Sequence, residues 1–341
     1  MVADPTTDPP PTKKGARRRA ALARLRPVVT RWRLTGYILL ASAIGYIVAR
    51  DAWLSDDAYI SFRTADNFLH GYGLRWNIAE RVQSYTNPLW LFLVIPLYAV
   101  GGNVGLSALA LSGACLFAHL GLLARYIARR PLGLVLAASV LLSSKAFVDY
   151  STSGLENPLT FVFIALFYVV YAYREGASDP PLAPLSFIVG LSILNRMDTV
   201  LLFAPAMLDA LITRGWSRRN LLHASAGLLI VGGWLIFSLV YYGFPFPNTA
   251  YAKLGSGIDR LEVAAKGLAY LRQSWKVDPI SLTTIAVVGS MGAVFGKRRT
   301  RALSLGLFLY LAYVVRIGGD FMSGRFIAAP LFGAVCVLAH L

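Results

Sequence analysis

The sequence is poor in charged residues for its length. Of 341 residues, 15% are charged and 56% are hydrophobic, whereas an ordinary soluble domain carries about 25% charged residues. Apolar runs close to the membrane-spanning length of about 20 residues recur along the chain. A single run of this kind fits a signal sequence, but this many exclude a soluble globular protein. The composition therefore predicts an all-α integral membrane protein that crosses the bilayer repeatedly.

Cysteine and histidine are scarce, which excludes several kinds of site. The two cysteines, Cys115 and Cys336, lie within apolar stretches and are best explained as small buried hydrophobic residues. The four histidines are scattered, which argues against a transition-metal site. The chain also lacks a nucleotide-binding glycine motif and a Ser/His/Asp spacing typical of hydrolases. The energy for any reaction must therefore come from an activated substrate.

Acidic residues are also few, and the basic residues are clustered. The chain has 33 Lys and Arg against 17 Asp and Glu, a net charge of +16. Such a charge is also found in nucleic-acid-binding proteins, but here the basic residues fall between apolar runs, as in cytoplasmic loops of membrane proteins. We therefore expect a lipid bilayer as partner and no nucleic acid. Residues 13–33 hold nine Lys and Arg and no acid, so we predict a disordered cytoplasmic tail over 1–33 and an uncleaved signal anchor after it.

With the N-terminus inside, the chain threads the bilayer about ten times. Basic clusters near Arg129, Arg174, Arg218 and Arg298 then all fall on the cytoplasmic side. The tenth segment is interrupted at Leu341, so we expect the natural chain to continue into a folded domain. The predicted spans cover residues 35–48, 106–123, 132–142 or 132–148, 159–173, 182–194, 200–212, 221–242, 279–295, 303–315 and a segment from 326.

The first outer segment carries two adjacent carboxylates, Asp56 and Asp57. One carboxylate can remove a proton from an acceptor hydroxyl while the other orients it or binds a cation. The alternative is that both cap a short interfacial helix, because Asp is a favoured residue at helix N-termini. Residues 88–100 are apolar but too short for a comfortable span, so we expect them at the interface. The aromatic, amide and guanidinium groups nearby favour sugar binding, and the candidates are Tyr59, Arg63 and Asn87.

Two further outer motifs each place an ionisable residue at the edge of the membrane. Glu156 precedes the fourth span, where it binds substrate or merely favours the helix dipole. Arg196 and Asp198 lie between the fifth and sixth spans, where they bind substrate or form an ion pair that stabilises the turn.

The last two outer motifs combine cations with aromatic residues or glycines. Residues 241–253 hold two prolines and several aromatic rings, and a lysine suited to meet a phosphate; the alternative is an interfacial aromatic belt. Residues 316–326 hold three charges beside glycines, which suits phosphate binding by arginine; the alternative is an exit turn. The candidates are Asn248, Tyr251, Lys253, Arg316, Asp320 and Arg325.

The distribution of charge separates three classes of function. Transporters usually carry polar residues inside their spans near the midplane, whereas these spans look uncharged and the polar motifs gather on one side. A structural assembly subunit does not explain five polar motifs on one side. A glycosyltransferase that uses a polyprenyl-phosphate sugar is the leading interpretation, and a flippase or transporter for such lipids is the alternative.

Taken together and in this order, the motifs resemble those of the AftB-type terminal arabinofuranosyltransferases of actinobacteria, which are GT-C membrane glycosyltransferases. The resemblance extends over about residues 51–326. It rests on residues 56–63, 85–90, 154–156, 196–198, 246–253 and 318–326.

The resemblance implies a polytopic GT-C-like catalytic domain over residues 34–341 and a periplasmic carbohydrate-binding domain beyond it. It implies transfer of a terminal β-(1→2) arabinofuranosyl residue from decaprenyl-phosphoryl-arabinofuranose to the arabinan of arabinogalactan and lipoarabinomannan, on the periplasmic side of the plasma membrane. Another polyprenyl-phosphate-sugar transferase of this class remains an alternative, because the residues alone do not identify the sugar.

The resemblance also implies catalytic roles in the first outer loop. Asp56 is expected to act as the base, with Asp57 orienting the acceptor or holding a divalent cation, although the sequence requires no cofactor. A β donor that gives a β product means net retention, so a nucleophilic or electrostatic role for Asp56 stays open.

Overall fold

The computed structural model describes residues 34–172, 179–254 and 259–340. By its internal contacts the chain divides into Met1–Ala43 and Ile44–Leu341. The described part of the first unit is the beginning of one helix, and the predicted tail over 1–33 lies outside the described residues. All contacts described below lie within the second unit.

The described residues form helices joined by turns and irregular segments, the longest of which covers residues 70–87. No β-strand occurs among the described residues, so the predicted all-helical class is confirmed. Nine of the ten predicted apolar segments each overlap one helix, whereas the seventh, 221–242, falls on two helices, Arg218–Ser225 and Leu228–Tyr242. The helices are α1 (Leu34–Arg50), α2 (Asp56–Leu69), α3 (Pro88–Gly101), α4 (Val104–Leu122), α5 (Pro131–Ser143), α6 (Lys145–Tyr150), α7 (Asn157–Ala172), α8 (Leu182–Asn195), α9 (Val200–Arg214), α10 (Arg218–Ser225), α11 (Leu228–Tyr242), α12 (Asn248–Leu254), α13 (Arg260–Val277), α14 (Pro279–Phe295), α15 (Arg298–Arg316) and α16 (Arg325–His340).

By length and composition, one of the described helices can cross a membrane unaided. It is Val104–Ile127, where α4 continues into a short π-helical turn. The number rises to three if two bent pairs each count as one span. The pairs are α10 with α11, bent by 51°, and α13 with α14, bent by 110°. Six other apolar helices have 10–17 residues.

The helix of the predicted third span does not continue to residue 148. It ends at Ser143, and α6 starts as a separate helix because the Ser144 hydroxyl accepts a hydrogen bond from the Phe147 amide and so caps it. The Ser144 hydroxyl also donates to the buried carboxylate of Asp278, which caps α14. One carboxylate thereby fixes the starts of two helices.

The stretch from Tyr242 to Asp278, between the predicted seventh and eighth spans, contains a helix of 18 residues, α13. This helix packs closely on α15. A Cβ added to Gly267 would lie 2.2 Å from the carbonyl oxygen of Val315, so only glycine allows the approach. On its other side α15 meets α9, where a Cβ on Gly306 would lie 2.1 Å from the Leu202 carbonyl oxygen. These contacts hold α15 close to both α13 and α9.

Residues of the basic clusters, which are predicted to be cytoplasmic, contact the C-terminal ends of α7 and α16. Arg299 donates to the carbonyl oxygen of Tyr171 at the end of α7 (2.8 Å), and the Arg129 amide donates to the Ala339 carbonyl oxygen at the end of α16 (3.3 Å). Both helices have 16 residues and are therefore about 24 Å long. Their N-termini accordingly lie far from these basic residues, at the other end of the bundle.

The expectation of uncharged spans is wrong at Asp209 in α9. Its carboxylate accepts hydrogen bonds from the Tyr171 hydroxyl (2.6 Å) and from Arg298 (2.5 Å). The carboxylate is tolerated because it lies near the basic end, where two neighbouring helices supply donors.

Candidate active site

The two carboxylates of the first outer segment lie in the first turn of α2. The N-cap is Ser55, whose side chain accepts a hydrogen bond from the Ala58 amide, so neither Asp56 nor Asp57 is the capping residue. The Asp56 side chain is exposed and accepts the Asp57 amide (2.9 Å). The Asp57 side chain is 28% exposed and contacts Arg325. The neighbouring carboxylates therefore have different partners.

The segment before α7 holds the start of α2 against Glu156. The Ser55 amide donates to the Ser153 carbonyl oxygen (2.9 Å), and Trp90 donates to the Gly154 carbonyl oxygen (2.9 Å). Gly154 has a φ of +76°, and a Cβ there would lie 2.9 Å from the side chains of Ala58 and Leu54. A side chain at position 154 would therefore push α2 away.

Glu156 is buried, and its two carboxylate oxygens face different groups. One oxygen accepts from the Asn87 amide (2.9 Å), which in turn accepts from the Ser61 hydroxyl (3.1 Å). The other oxygen lies 3.6 Å from Arg196 and 3.9 Å from Arg325. Glu156 thus links α2, the N-cap of α3, the segment before α9 and the start of α16.

Arg196 forms the ion pair expected of the Arg196–Asp198 motif. Its guanidinium donates to both carboxylate oxygens of Asp198, at 2.8 and 3.1 Å, and the Tyr310 hydroxyl of α15 donates to the same carboxylate (3.0 Å). The guanidinium carbon also lies 4.6 Å from the centre of the Phe326 ring. The pair therefore belongs to a larger network and does more than stabilise a turn.

Arg325 begins α16 after a glycine-rich segment that folds against α13. Gly319 has a φ of +73°, and a Cβ there would lie 2.5 Å from Tyr270, so the close approach requires glycine. The Arg325 guanidinium lies 2.5 Å from the Asp57 carboxylate, 3.6 Å from Asp320 and 3.9 Å from Glu156. Four of the five polar motifs identified in the sequence therefore meet at one place.

The charges in this network do not balance. Four carboxylates, those of Asp57, Glu156, Asp198 and Asp320, share two guanidinium groups. Burial by itself would raise the pKa of Glu156, but the charges of Arg325 and Arg196 and the Asn87 hydrogen bond outweigh it and hold the pKa below the ordinary value. Glu156 is therefore ionised at neutral pH in spite of its burial.

The remaining candidates lie outside this network. The Arg63 guanidinium carbon lies 4.2 Å from the centre of the Trp76 ring, and the exposed Tyr59 ring packs on Phe62. Asn248 and Tyr251 belong to α12, where the Tyr251 ring packs on Phe244 and Phe246.

The three candidate cations differ in their surroundings. Arg325 is the one whose contacts join the network. Arg316 is exposed at the end of α15, and the side chain of Lys253 lies outside the described part of the chain.

Several buried polar residues of the site were not singled out in the sequence. Asn157 donates to the Arg325 carbonyl oxygen (3.2 Å), and Asn195 donates to the Glu156 carbonyl oxygen (3.0 Å). Each lies next to a candidate residue in the sequence, Asn157 after Glu156 and Asn195 before Arg196. This proximity is the sequence signal that identifies them. Tyr310 lies within an apolar segment and gives no such signal.

Residues that could hold a metal were also sought in the structure. In residues 34–172, 179–254 and 259–340, no group of three or more His, Cys, Asp or Glu side chains is placed to hold a metal ion. Asp56 and Asp57 have different partners, since the Asp57 carboxylate contacts Arg325 whereas the Asp56 carboxylate accepts the Asp57 amide.

Two curated proteins match most of the chain, and both are named terminal beta-(1->2)-arabinofuranosyltransferase. The Mycobacterium tuberculosis protein is 29% identical over 333 residues, covering 84% of this chain and 52% of its own length. The Corynebacterium glutamicum protein is 30% identical over 324 residues, covering 82% of this chain and 46% of its own length.

No family model and no solved structure matches the chain. The chain spans about half the length of the curated relatives it matches. The resemblance inferred from the motifs is confirmed: this helical membrane chain is similar over most of its length to the terminal arabinofuranosyltransferases of two actinobacteria.

Proposed function

We propose that this chain forms the membrane-embedded catalytic part of an arabinofuranosyltransferase. It transfers an arabinofuranosyl residue from decaprenyl-phosphoryl-arabinofuranose to the non-reducing end of cell-wall arabinan, forming the terminal β-(1→2) linkage. The observation that carries the proposal is the meeting of Asp57, Glu156, Arg196 and Arg325 at one end of the helices. The similarity to the two named transferases supports the choice of sugar.

The chemistry follows from the donor. Its anomeric carbon carries a phosphate leaving group, so the donor itself supplies the free energy of transfer. Arg325 is suited to bind the leaving phosphate, since a guanidinium pairs with two phosphate oxygens at once. The exposed Asp56 is free to act on the acceptor hydroxyl or on the anomeric carbon. The site thus offers a cation for the donor phosphate and a carboxylate for the acceptor hydroxyl or the anomeric carbon.

The proposed architecture is a GT-C-like bundle of about ten membrane segments in the plasma membrane, with the site facing the periplasm. The separation of the site from Arg129, Arg298 and Arg299 along α7 and α16 supports this orientation, since basic residues favour the cytoplasmic side. Helices of 13 to 16 residues such as α5 and α7 are shorter than a usual span. They would cross where the bilayer thins or where flanking residues extend the helix.

Cysteine labelling tests the orientation. Cysteines at Arg129, Arg218 and Arg298 are expected to resist a membrane-impermeant maleimide in intact cells and to react after permeabilisation. Cysteines at Tyr72 and Ser323 are expected to react in intact cells, because the positive-inside rule places the opposite end outside. Labelling is read by mass shift on gels.

The native Cys115 and Cys336 are buried, and a variant with both replaced by serine provides the background. A third position predicted to be on the outer side, Gly255, lies outside the described residues and is tested in the same way. Reaction at position 218 in intact cells would overturn the orientation.

Removal of the Arg325 charge is expected to weaken phosphate binding. Arg325→Gln should lower the affinity for farnesyl phosphate by about 1.5–3 kcal/mol, roughly 10- to 150-fold, because a charge-assisted hydrogen bond is lost. Microscale thermophoresis of the purified protein measures the dissociation constant, and farnesol, which lacks the phosphate, reports the contribution of the prenyl chain.

Arg316→Gln and Lys253→Gln, measured in parallel, rank the three candidate cations. Thermal melting of each variant confirms that it is folded. An unchanged affinity in folded Arg325→Gln removes this residue from the phosphate site.

The direct test of the function uses the purified protein with radiolabelled decaprenyl-phosphoryl-arabinofuranose and an arabinan oligosaccharide. We expect the label to appear in the oligosaccharide in a β-(1→2) linkage, and a polyprenyl-phosphoryl-mannose donor to give none. Transfer of mannose instead would point to another transferase of the same class. Movement of the intact donor between the leaflets of proteoliposomes, without transfer, would favour a flippase.

A further inference from the structure

The Arg325 guanidinium lies among three carboxylates that differ in how firmly they are held. The Glu156 side chain is 3% exposed and the Asp320 side chain 8% exposed, whereas the Asp57 side chain is 28% exposed. Asp57 is also the closest of the three, at 2.5 Å. The shortest of the three contacts is therefore also the one most exposed to solvent.

Only Asp57 can leave Arg325 at low cost. Moving Glu156 away would leave Arg196 without one of its two carboxylates and would break the Asn87 hydrogen bond. Asp320 is fixed in the glycine-rich segment, where its carboxylate also accepts the Phe321 amide (2.7 Å). Asp57 gives up one ion pair and gains water, because it lies at the open edge of the network.

Arg325 also has an unused donor. Its Nε is buried and has no hydrogen-bond partner in the described part of the chain. A carboxylate on Nη1 leaves this N–H unsatisfied, which costs free energy. A phosphate diester presents two non-bridging oxygens and can therefore accept from Nε and from an Nη group at once, which Asp57 on Nη1 does not do.

We propose that the Asp57 carboxylate occupies the position on Arg325 that a phosphate group of the donor takes, and that phosphate binding displaces it. The nature of the anion rests on the proposed function. Before the donor binds, Arg325 neutralises Asp57 and keeps it from the acceptor. After the donor binds, Asp57 is released beside Asp56 and can orient the acceptor. The site then acquires its second free carboxylate only when the donor is present.

The test compares the affinities of two matched variants for farnesyl phosphate. Asp57→Asn and Asp56→Asn each remove one negative charge from neighbouring positions of α2, so they change the long-range field almost equally. If Asp57 competes with phosphate for Arg325, Asp57→Asn should bind about tenfold more tightly than the unchanged protein. Asp56→Asn should bind with an affinity within about twofold of the unchanged protein, because Asp56 does not contact Arg325.

If Asp57 and phosphate compete, they compete for Arg325, and a double variant tests this. In an Arg325→Gln background, Asp57→Asn should give no gain in affinity. If the double variant does not fold, the comparison of positions 57 and 56 decides alone. Equal affinities of Asp57→Asn and Asp56→Asn, or weaker binding by Asp57→Asn, would overturn the proposal.

The binding test is independent of the transfer test. Tighter phosphate binding by Asp57→Asn together with no arabinosyl transfer by the unchanged protein would preserve this proposal and contradict the proposed function. Transfer with no change of affinity in Asp57→Asn would do the reverse. Farnesol should bind equally to all variants, which excludes an effect on the prenyl-chain site.

Discussion

Asp56→Asn is expected to lower the turnover of sugar transfer by about 10² or more while the affinity for the donor stays unchanged. Asp56 is exposed in the first turn of α2 and has no ion-pair partner in the described part of the chain. The substitution keeps the size and one oxygen of the side chain, so the first turn of α2 should persist. What it removes is the negative charge and the ability to accept a proton.

The stereochemistry decides how that loss should be interpreted. A β donor that gives a β product retains its configuration, whereas a single displacement assisted by one base inverts it. A base role for Asp56 therefore fits an inverting course, and a nucleophilic role fits a double displacement through a glycosyl-enzyme intermediate. Both roles predict a fall in kcat with little change in KM for the donor. Intact-protein mass spectrometry after rapid quenching with donor alone distinguishes them, since only the nucleophilic role gives an arabinosyl adduct.

Asp57→Asn is the matched control for this experiment. It should also lower turnover, but with tighter phosphate binding, so the two variants separate an effect on kcat from an effect on affinity. Near-normal turnover in both variants would mean that the pair has no catalytic role. In that case the carboxylates would serve only the start of α2, next to the Ser55 cap.

Hydropathy predicts the apolar helices of this chain well because burial in lipid or in the protein requires apolar side chains. The positions of all ten predicted segments rest on that rule. The helix α13 was missed because it is amphipathic and lies between polar residues, so no apolar run marks it. The sequence leaves open whether the third span ends at 142 or at 148, because the break before α6 depends on the bond between Ser144 and Asp278, which are 134 residues apart.

The polar residues of the site were predictable one by one but not as a network. Charges at the ends of apolar segments identify Asp57, Glu156, Arg196 and Arg325, because ionisable groups near the membrane are costly unless they are used or paired. That rule does not say which residue pairs with each charge. The contact between Asp57 and Arg325 joins residues 268 positions apart and depends on how α2 and α16 pack. Sequence reasoning therefore assigned Arg325 to phosphate without finding that a carboxylate already contacts it.

Arg196→Met is expected to lower the free energy of unfolding by about 3–5 kcal/mol, because removing one partner of a buried ion pair leaves the other uncompensated. Arg196 is 7% exposed and pairs with Asp198 through two hydrogen bonds. Methionine fills much of the volume of the arginine stem and keeps contact with Phe326. The expected loss is thus mainly electrostatic. Unfolding by dodecyl sulfate in mixed micelles measures it.

Arg63→Met is the matched control, since Arg63 also stacks on an aromatic ring but is exposed. It should cost less than about 1 kcal/mol. Asp198→Asn in the Arg196→Met background removes the charge of one of the two carboxylates that lose their contact with Arg196. The double variant is therefore expected to be more stable than Arg196→Met alone.

The dependence on pH tests whether charge causes the loss. In the unchanged protein the pKa of Glu156 lies below its ordinary value, so its ion pairs stabilise the fold above the ordinary carboxyl pKa and this contribution is lost as the pH falls through the lowered one. In Arg196→Met, Glu156 keeps one of its two neighbouring guanidinium groups, that of Arg325, and its pKa therefore rises. Protonation of Glu156 then removes an unfavourable buried charge from Arg196→Met at a pH where Glu156 of the unchanged protein is still ionised. The stability difference between the two should therefore be largest at neutral pH and shrink on acidification, whereas a difference that is constant with pH would show that lost packing, not lost charge, is the cause.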